Sequence, residues 1–578
     1  MSDRRTAESR SAEARSGEAR TAAGRSTESR AARPRRAGGR RPAGTGASTA
    51  VRRATAAGLA FAACVAVVSA ATGPAQAASV DASTSGDSDA SASATSAPRG
   101  LDRYYNQRLD WRSCVEGPDD KDGAALEQAG ARCADVTVPL DYGDPRGRTI
   151  TVAISRIKGT DTRHRIGAML LNDGGPGGET LGTPPRVQAA LKETAARYDI
   201  IGMDPRFVGR STPLDCGWPV GTSLASAGLG RASFDRQVAF QKDLAAKCRA
   251  AAGSLLPHAS TRNTARDMDV VRGALGERRI SYLGVSYGTY LGTVYTQMFP
   301  GRYDRVVLDG ALDPRTYGPR LFPGLLAENE QALADWVAWA AARHDTYGLG
   351  RTGEEVIAGI RRTVEASARA PLAVGSGTGT FLVDDTRVPF LLFAGIADDT
   401  DEARADLAEE MAVLAEAAAG RPARPSEAFA AVLRFAFGAE GSATGSSQQA
   451  IMCADGTAPR DPESYWRGVE RTRAEHPLLG PMLNNINPCA FWDRPREART
   501  EVRSDAEVLI VAATGDPRTT YRDSVALHGL LPGSRLLTLK GANRHALYGM
   551  YGNACVDDTV NAYLASGRLP KGDRTCTK

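Results

Sequence analysis

One pentapeptide limits what this chain can fold into more than any other feature. Gly284-Val285-Ser286-Tyr287-Gly288 is its only G-x-S-x-G. With 61 glycines in 578 residues the pentapeptide alone carries little weight, and its flanks supply the rest. The short apolar run Ile280–Leu283 precedes it and a helical pattern, Thr289–Met298, follows. A strand that turns at once into a helix around a serine needs glycine on both sides, because the turn leaves no room for side chains. It also lifts the serine hydroxyl from the top of a sheet. The rest of the chain agrees, since short β-branched runs alternate with helical patterns as in a mostly parallel α/β sheet. The candidate strands are Thr149–Ser155, Ala168–Leu171, Ile200–Met203, Ile280–Leu283, Arg305–Leu308, Val508–Ala512 and Leu536–Leu539. The helix ahead of Ile280 is expected to start at Thr264-x-x-Asp267, a capping-box variant, and to stop at Gly276.

Between about 315 and 450 the alternation stops. Ala/Leu/Glu-rich helices take over at Leu325–Ala342, Glu354–Ala366, Asp401–Ala418 and Ser426–Phe437. A helical block between two α/β stretches is expected to cover the catalytic edge of the sheet as a lid. The organisation expected is an α/β core over 101–314, the lid over 315–450, and the core again over 451–578.

The first hundred residues are of another kind. Residues 1–53 hold fourteen Arg against five acidic residues, a surplus larger than the +5 of the whole chain. The remainder is therefore mildly acidic, without the basic footprint of a nucleic-acid binder. Such an Arg-rich, low-complexity leader cannot build a core. Ala54 to Ala71 carries no charge, follows Arg52-Arg53, and leads to Ala75-Gln76-Ala77. Basic flank, apolar run and A-x-A site read as a signal peptide over 54–77. They imply a secreted chain with no membrane span after cleavage. Residues 78–100, rich in Ser, Ala and Asp, read as a flexible linker.

Nine cysteines less Cys64 of the signal leave eight, and an even number in an exported chain suggests four disulfides. Eight cysteines allow 105 connectivities. They fall into four couples close in sequence, so the expected pairs are Cys114–Cys133, Cys216–Cys248, Cys453–Cys489 and Cys555–Cys576. Without C-x-x-C or metal-spaced His/Cys clusters, neither zinc nor any other metal is expected.

A serine hydroxyl is a poor nucleophile until a base takes its proton. In a strand–serine–helix fold of this kind the partners follow in the order Ser, Asp or Glu, His. Of six histidines only His528 and His545 come after the late strand Val508–Ala512, which runs into Thr514-Gly515-Asp516. His528 sits inside the helical run Arg522–Leu531, whereas His545 lies in the loop after the last strand, where the base belongs. The expected catalytic set is Ser286, Asp516 and His545, with Asp309 at the end of its strand as the alternative acid. Activity is expected to fall as the base protonates, below roughly pH 6–7. The oxyanion needs N–H donors as well. Asn172-Asp173-Gly174-Gly175-Pro176-Gly177-Gly178 follows a strand, and the N–H groups of Gly175 and Tyr287 are the candidates. As a phosphate loop the same stretch fails, for no Lys-Ser/Thr follows it.

Larger motifs add to this. They are Asn263-Thr264-Ala265-Arg266-Asp267, the stretch Tyr282–Gly292, Asp204-Pro205-Arg206 with Val208-Gly209, and the tail from Leu509 to Cys576. Over about residues 105–578 they resemble the secreted tripeptidyl aminopeptidases of Streptomyces, α/β-hydrolases related to prolyl aminopeptidases. The resemblance implies the α/β-hydrolase fold with a helical lid, Ser286 as nucleophile, Asp516 and His545 as its partners, and no cofactor. It implies substrates that are peptides with free N-termini, from which tripeptides are released. An exopeptidase must hold the free ammonium, and carboxylates in the lid suit that task; Glu328 and Glu330 are the candidates.

Some positions depart from the family pattern. Asp173 stands for Pro, Glu179-Thr180 for Ser-Gly, Phe207 for Gly, Thr520 for Pro, and Arg544-His545-Ala546 for Ser-His-Gly. Asp173 and Glu179 either point to solvent or change which substrate charge is tolerated. Two other readings remain at this level: a carboxylesterase on the same triad, and a non-catalytic cell-surface relative.

Overall fold

The computed structural model describes residues 100–578. The leader, the signal segment and, but for Gly100, the linker lie outside the described residues. Six strands come first: β1 Ala131–Pro139, β2 Thr149–Ile157, β3 Gly167–Asn172, β4 Tyr198–Met203, β5 Ile280–Val285 and β6 Tyr303–Asp309. A small hairpin follows, β7 Leu372–Val374 with β8 Phe381–Val383, and then β9 Val508–Ala513, β10 Arg535–Lys540 and β11 Arg574–Thr577. All but the hairpin form one nine-stranded sheet in the order β1-β2-β4-β3-β5-β6-β9-β10-β11. Only β1–β2 and β2–β4 pair antiparallel; from β4 to β11 every neighbour is parallel.

Strand pleating explains the layers, because successive side chains leave a strand on opposite faces. Leu170, Leu308 and Ile510 join one apolar cluster, while their chain neighbours Met169, Val307 and Leu509 join another on the opposite face. Every residue of β3, β4, β5 and β9 is buried, as expected of parallel strands covered by helices on both sides.

Between β6 and β9 the chain is almost wholly helical and owns a separate core. The helices Leu326–Ala341, Gly353–Arg369, Asp401–Ala418 and Glu427–Phe437 bury Trp336, Ile360, Leu407 and Leu433 together. Leu479 and Met482 complete that cluster, so helical packing of this kind continues past residue 450, and the helix Ser442–Asp455 crosses that position.

The disulfides are Cys114–Cys133, Cys216–Cys248, Cys453–Cys489 and Cys555–Cys576. Closing loops of 19 to 36 residues, each contributes about 3–4 kcal/mol on chain-entropy reasoning. The helix ahead of β5 runs Thr261–Ala274, a turn earlier than expected, because Ser260 caps it by accepting from the Asn263 N–H. Asp267 has another task. It forms a fully buried two-point ion pair with Arg206 (Nε–Oδ2 and Nη2–Oδ1 both 2.6 Å). Two of the family motifs thus meet as a structural pair within the core.

Candidate active site

The site is built on the upper ends of β5, β6 and β9. Ser286 leaves β5 with φ 58° and ψ −124°, a strained backbone for a residue with a Cβ. The strain holds because the flanks pack too tightly to relax. A Cβ on Gly288 would collide with the Asn172 carbonyl, and one on Gly284 with the Gly288 carbonyl. Ser286 is buried, and its N–H donates to the Asp309 carbonyl at the end of β6 (2.9 Å).

The glycine loop after β3 lies on this turn. Gly174 and Gly175 take φ values of +94° and +106°. A Cβ on Gly174 would come within 2.9 Å of Tyr287 N and 3.0 Å of Ser286 Cβ. The Gly174 N–H donates to Asn172 Oδ1 (3.2 Å), which makes Gly175 the next donor along the loop. Tyr287 opens the helix Tyr287–Met298, where backbone N–H groups have no partner inside the helix.

Asp516 and His545 arrive on the loops after β9 and β10. His545 Nδ1 lies 2.9 Å from Asp516 Oδ2 and 3.1 Å from Oδ1. A carboxylate at Nδ1 keeps the proton there and makes Nε2 the basic nitrogen. The carboxylate is itself held, since Oδ1 accepts from the N–H groups of Arg518 (2.7 Å) and Thr519 (3.0 Å). Thr519 Oγ1 donates to Oδ2 at 2.9 Å and lies 3.3 Å from His545 Nδ1. The pair stands over the end of β6: a Cβ on Gly310 would be 3.4 Å from Asp516 Oδ2 and 3.5 Å from His545 Cε1. Thus Ser286 on one side and the Asp516–His545 pair on the other share the Asp309-Gly310 corner. The Asp309 side chain is held by the backbone that follows the base. Its Oδ2 accepts from the N–H groups of Leu547 (2.8 Å) and Tyr548 (2.7 Å).

The remaining sequence candidates separate. His528 binds Ser534 Oγ (2.6 Å) and Asp573 Oδ2 (3.3 Å), as a helix residue away from the site. Glu328 and Glu330 flank Asn329 in the first turns of Leu326–Ala341. The Asn329 amide donates to the Pro517 carbonyl (2.6 Å) and its oxygen accepts from Arg518 Nη1 (2.7 Å), which puts this turn against the Asp516 loop. At about 100° per residue, Glu328 and Glu330 point about 200° apart, so one pocket cannot use both. Glu330 faces His476 (3.4 Å); burial raises its carboxyl and the imidazole partly offsets this. Glu328 Oε2 is buried without a hydrogen-bond partner.

Among the departures, Asp173 is engaged by Arg186 Nη2 (2.7 Å) and Thr183 Oγ1 (2.6 Å), which neutralise its charge. Glu179 keeps part of its side chain exposed while its carboxyl is packed by protein. The protein packed around its carboxyl, and then the charges of Asp204 and Asp122, push it up to about 7. Thr520 caps the helix Tyr521–Leu530. Thr519, Arg518 and Asn329 escaped the sequence reading. The Asp-x-x-Thr spacing of 516 and 519 was the one local signal for the first of them. Among the described residues no group of three or more His, Cys, Asp or Glu is placed to hold a metal ion.

A mostly parallel sheet with a serine turn after its central strand and an acid–histidine pair on the loops after two later strands is the architecture of an α/β-hydrolase. A family model described as "alpha/beta hydrolase fold" matches residues 167–346, and one described as "TAP-like protein" matches 476–576. Tripeptidyl aminopeptidase of Streptomyces lividans is 35% identical over 462 residues, covering 77% of this chain and 83% of that one. Serine protease Hip1 of Mycobacterium tuberculosis is 27% identical over 481 residues (77% and 87%), and carboxylesterase B of the same species 30% over 499 (81% and 89%). Similar solved structures include an esterase from Thermogutta terrifontis (TM-score 0.31, 13% identity, 74% and 97% covered). Proline iminopeptidase of Mycobacterium smegmatis is another (0.32, 14%, 75% and 100%). The chain belongs to the tripeptidyl aminopeptidase-like family of α/β-hydrolases and is an enzyme of the serine hydrolase class.

Proposed function

We propose that this chain is a secreted serine exopeptidase that cleaves peptides from a free N-terminus, releasing tripeptides. One observation carries its chemistry: the buried Asp516–His545 pair stands across the Asp309-Gly310 corner from the strained Ser286 turn, and the 35% identity to a tripeptidyl aminopeptidase supports peptides as its substrates. Ser286 Oγ attacks the scissile carbonyl while His545 Nε2 takes its proton. The N–H groups of Gly175 and Tyr287 hold the oxyanion, and removing one such donor typically costs about 2.7–4 kcal/mol. His545 then gives the proton to the leaving amine, and water, activated by the same imidazole, hydrolyses the acyl-enzyme. No step needs a cofactor.

The helices that follow β6 act as the lid over this edge, between the core segments 101–314 and 451–578. Both acids lie on the helix docked to the Asp516 loop and carry a buried unpartnered oxygen, but Glu330 already faces His476, so Glu328 is the better of the two to receive the substrate ammonium. Four disulfides suit an oxidising compartment and so favour export. No helix among the described residues is long and apolar enough to cross a membrane.

The test compares wild type with Ser286→Ala on one tripeptide p-nitroanilide, with free and with acetylated N-terminus. The expected result is cleavage of the free form alone, lost by at least about 10³-fold in the variant. Glu328→Gln should raise KM for the free form about tenfold, the effect of one charge-assisted contact of roughly 1.4 kcal/mol. The similarity to carboxylesterase B favours a second reading, an esterase on the same triad. Turnover of a p-nitrophenyl ester with no cleavage of either anilide would select it.

A further inference from the structure

The corner between nucleophile and base is occupied by one residue that the mechanism above does not use. Asp309 accepts the Ser286 N–H on its main-chain carbonyl (2.9 Å) and the Leu547 and Tyr548 N–H groups on its side chain (2.8 and 2.7 Å). We propose that Asp309 is a positioning residue that fixes the base loop against the nucleophile turn, through Oδ2 on one side and its carbonyl on the other. The proposal rests on reading Ser286 and His545 as nucleophile and base.

The local backbone explains why such a clamp is needed. Ala546, directly after His545, has φ 67°, so the chain reverses there in a conformation that residues with a Cβ disfavour. Leu547 and Tyr548, which Asp309 holds, come immediately after the reversal. Without an acceptor in this place their two buried N–H groups would lie unpaired and the reversal could relax, taking the imidazole with it. Misplacing a catalytic group by about 1 Å can cost 10²-fold in rate.

A neutral acceptor would satisfy the same two N–H groups, yet the residue is a carboxyl, 1% exposed. Burial pushes it up to about 6, against the pull of the two N–H donors and of His545, while Asp516 adds to the rise. The charged and titratable groups facing it are His545 and Asp516 on the two catalytic loops, and Arg544 beside the base. When ionised, Asp309 is a second negative charge near the imidazolium that forms in the transition state.

The experiment measures kcat, KM and the pH profile of kcat/KM for wild type, Asp309→Asn, Asp309→Ala and Ser286→Ala on the free tripeptide p-nitroanilide. Folding is checked for each by near-ultraviolet circular dichroism. In Asp309→Ala, kcat should fall about 10²-fold with KM changed less than about threefold. In Asp309→Asn the amide oxygen still accepts both N–H groups, so kcat should return to within about tenfold of wild type. The acidic limb of its profile should move to lower pH, because a negative charge beside the imidazolium has gone. Wild-type kcat in Asp309→Ala would overturn the proposal, as would a folded Asp309→Asn no faster than Asp309→Ala or with an unmoved acidic limb. Full activity in Ser286→Ala would instead overturn the reading of the site on which it rests.

Discussion

Ser286 and Ala546, beside the nucleophile turn and the candidate base, take φ values of 58° and 67°, and Phe207 in the Asp204–Gly209 motif takes 72°. Such a backbone costs roughly 1–2 kcal/mol. At Phe207 the magnitudes decide what a relaxing substitution does. Glycine would relieve that strain but would empty a site where the ring is 2% exposed, a loss of about 3–5 kcal/mol. Phe207→Gly should therefore lower stability by about 2 kcal/mol; a higher Tm by calorimetry would contradict the sign. Thr519 invites a second residue-scale test. Its hydroxyl donates to Asp516 Oδ2 (2.9 Å), steadying the carboxylate that orients His545. Thr519→Val should cut kcat about tenfold with little change in KM, the loss of roughly one charged hydrogen bond, and Thr519→Ser should restore it. Equal kcat in the valine and serine variants would remove this role. The strained turn at Ser286 was legible in the sequence because its signal is local: glycines, strand and helix lie within about twenty residues. Thr519 was not, since what it does is set by an imidazole 26 residues further on.

Among the elements, the same division between local and remote holds. The seven strands expected from apolar, β-branched runs all lie in the sheet. The two strands of this sheet that were missed carry weak patterns. β1 interrupts its apolar residues with Arg132 and Asp135, and the four-residue β11 reads Arg-Thr-Cys-Thr, pinned by the Cys555–Cys576 disulfide. Nor does the sequence disclose how firmly the helical block grips the loops that carry Asp516 and His545. His545 N–H donates to the Ala397 carbonyl (2.9 Å), and Asn543 N–H to Asp399 Oδ2 (2.9 Å). Arg544 pairs with Asp398, and Arg518 reaches into the block to lie 3.7 Å over the Phe393 ring. Such contacts make the block a fixed wall of the site along this edge rather than a freely opening flap. Asn329 is the hinge pin of that arrangement. Its removal leaves the Pro517 carbonyl and one face of a buried guanidinium without their partner, which should cost about 2–4 kcal/mol. Asn329→Ala is accordingly expected to lower both Tm and kcat, whereas substitution of the exposed Glu365 on a neighbouring helix should lower neither. An Asn329→Ala variant with unchanged kcat would show the catalytic loops to be self-supporting.

At the scale of the whole molecule, buried carboxyls set how stability responds to pH. Asp455 is buried, accepting from the Thr261 N–H (2.8 Å) and from Tyr317 OH (3.4 Å). Burial pushes it up to about 7, and Asp309 is likewise pushed up to about 6. An unfolded aspartate titrates near 3.9. A group whose folded value lies above its unfolded one stabilises the fold most below the unfolded value, and that contribution fades as pH rises through the folded value. Between pH 5 and 8 the two groups therefore withdraw stability, together on the order of 4 kcal/mol at about 1.4 kcal/mol per unit. Glu497 works in the other direction. Hydrogen bonds and charge from Arg266 and Arg262 hold it near 2, so its contribution is present above the ordinary glutamate range and is lost as pH falls below about 4.5. Opposed in sign and crossing near the ordinary carboxylate range, these groups place the maximum of stability in acid, near pH 4. The Tm of Ser286→Ala, used to prevent self-digestion, should peak there and decline by several degrees toward pH 8. Asp455→Asn should flatten that decline. A Tm that climbs steadily from pH 5 to 8 would mean that Asp455 and Asp309 carry their charge at little cost, and the electrostatic argument for Asp309 would fall with it.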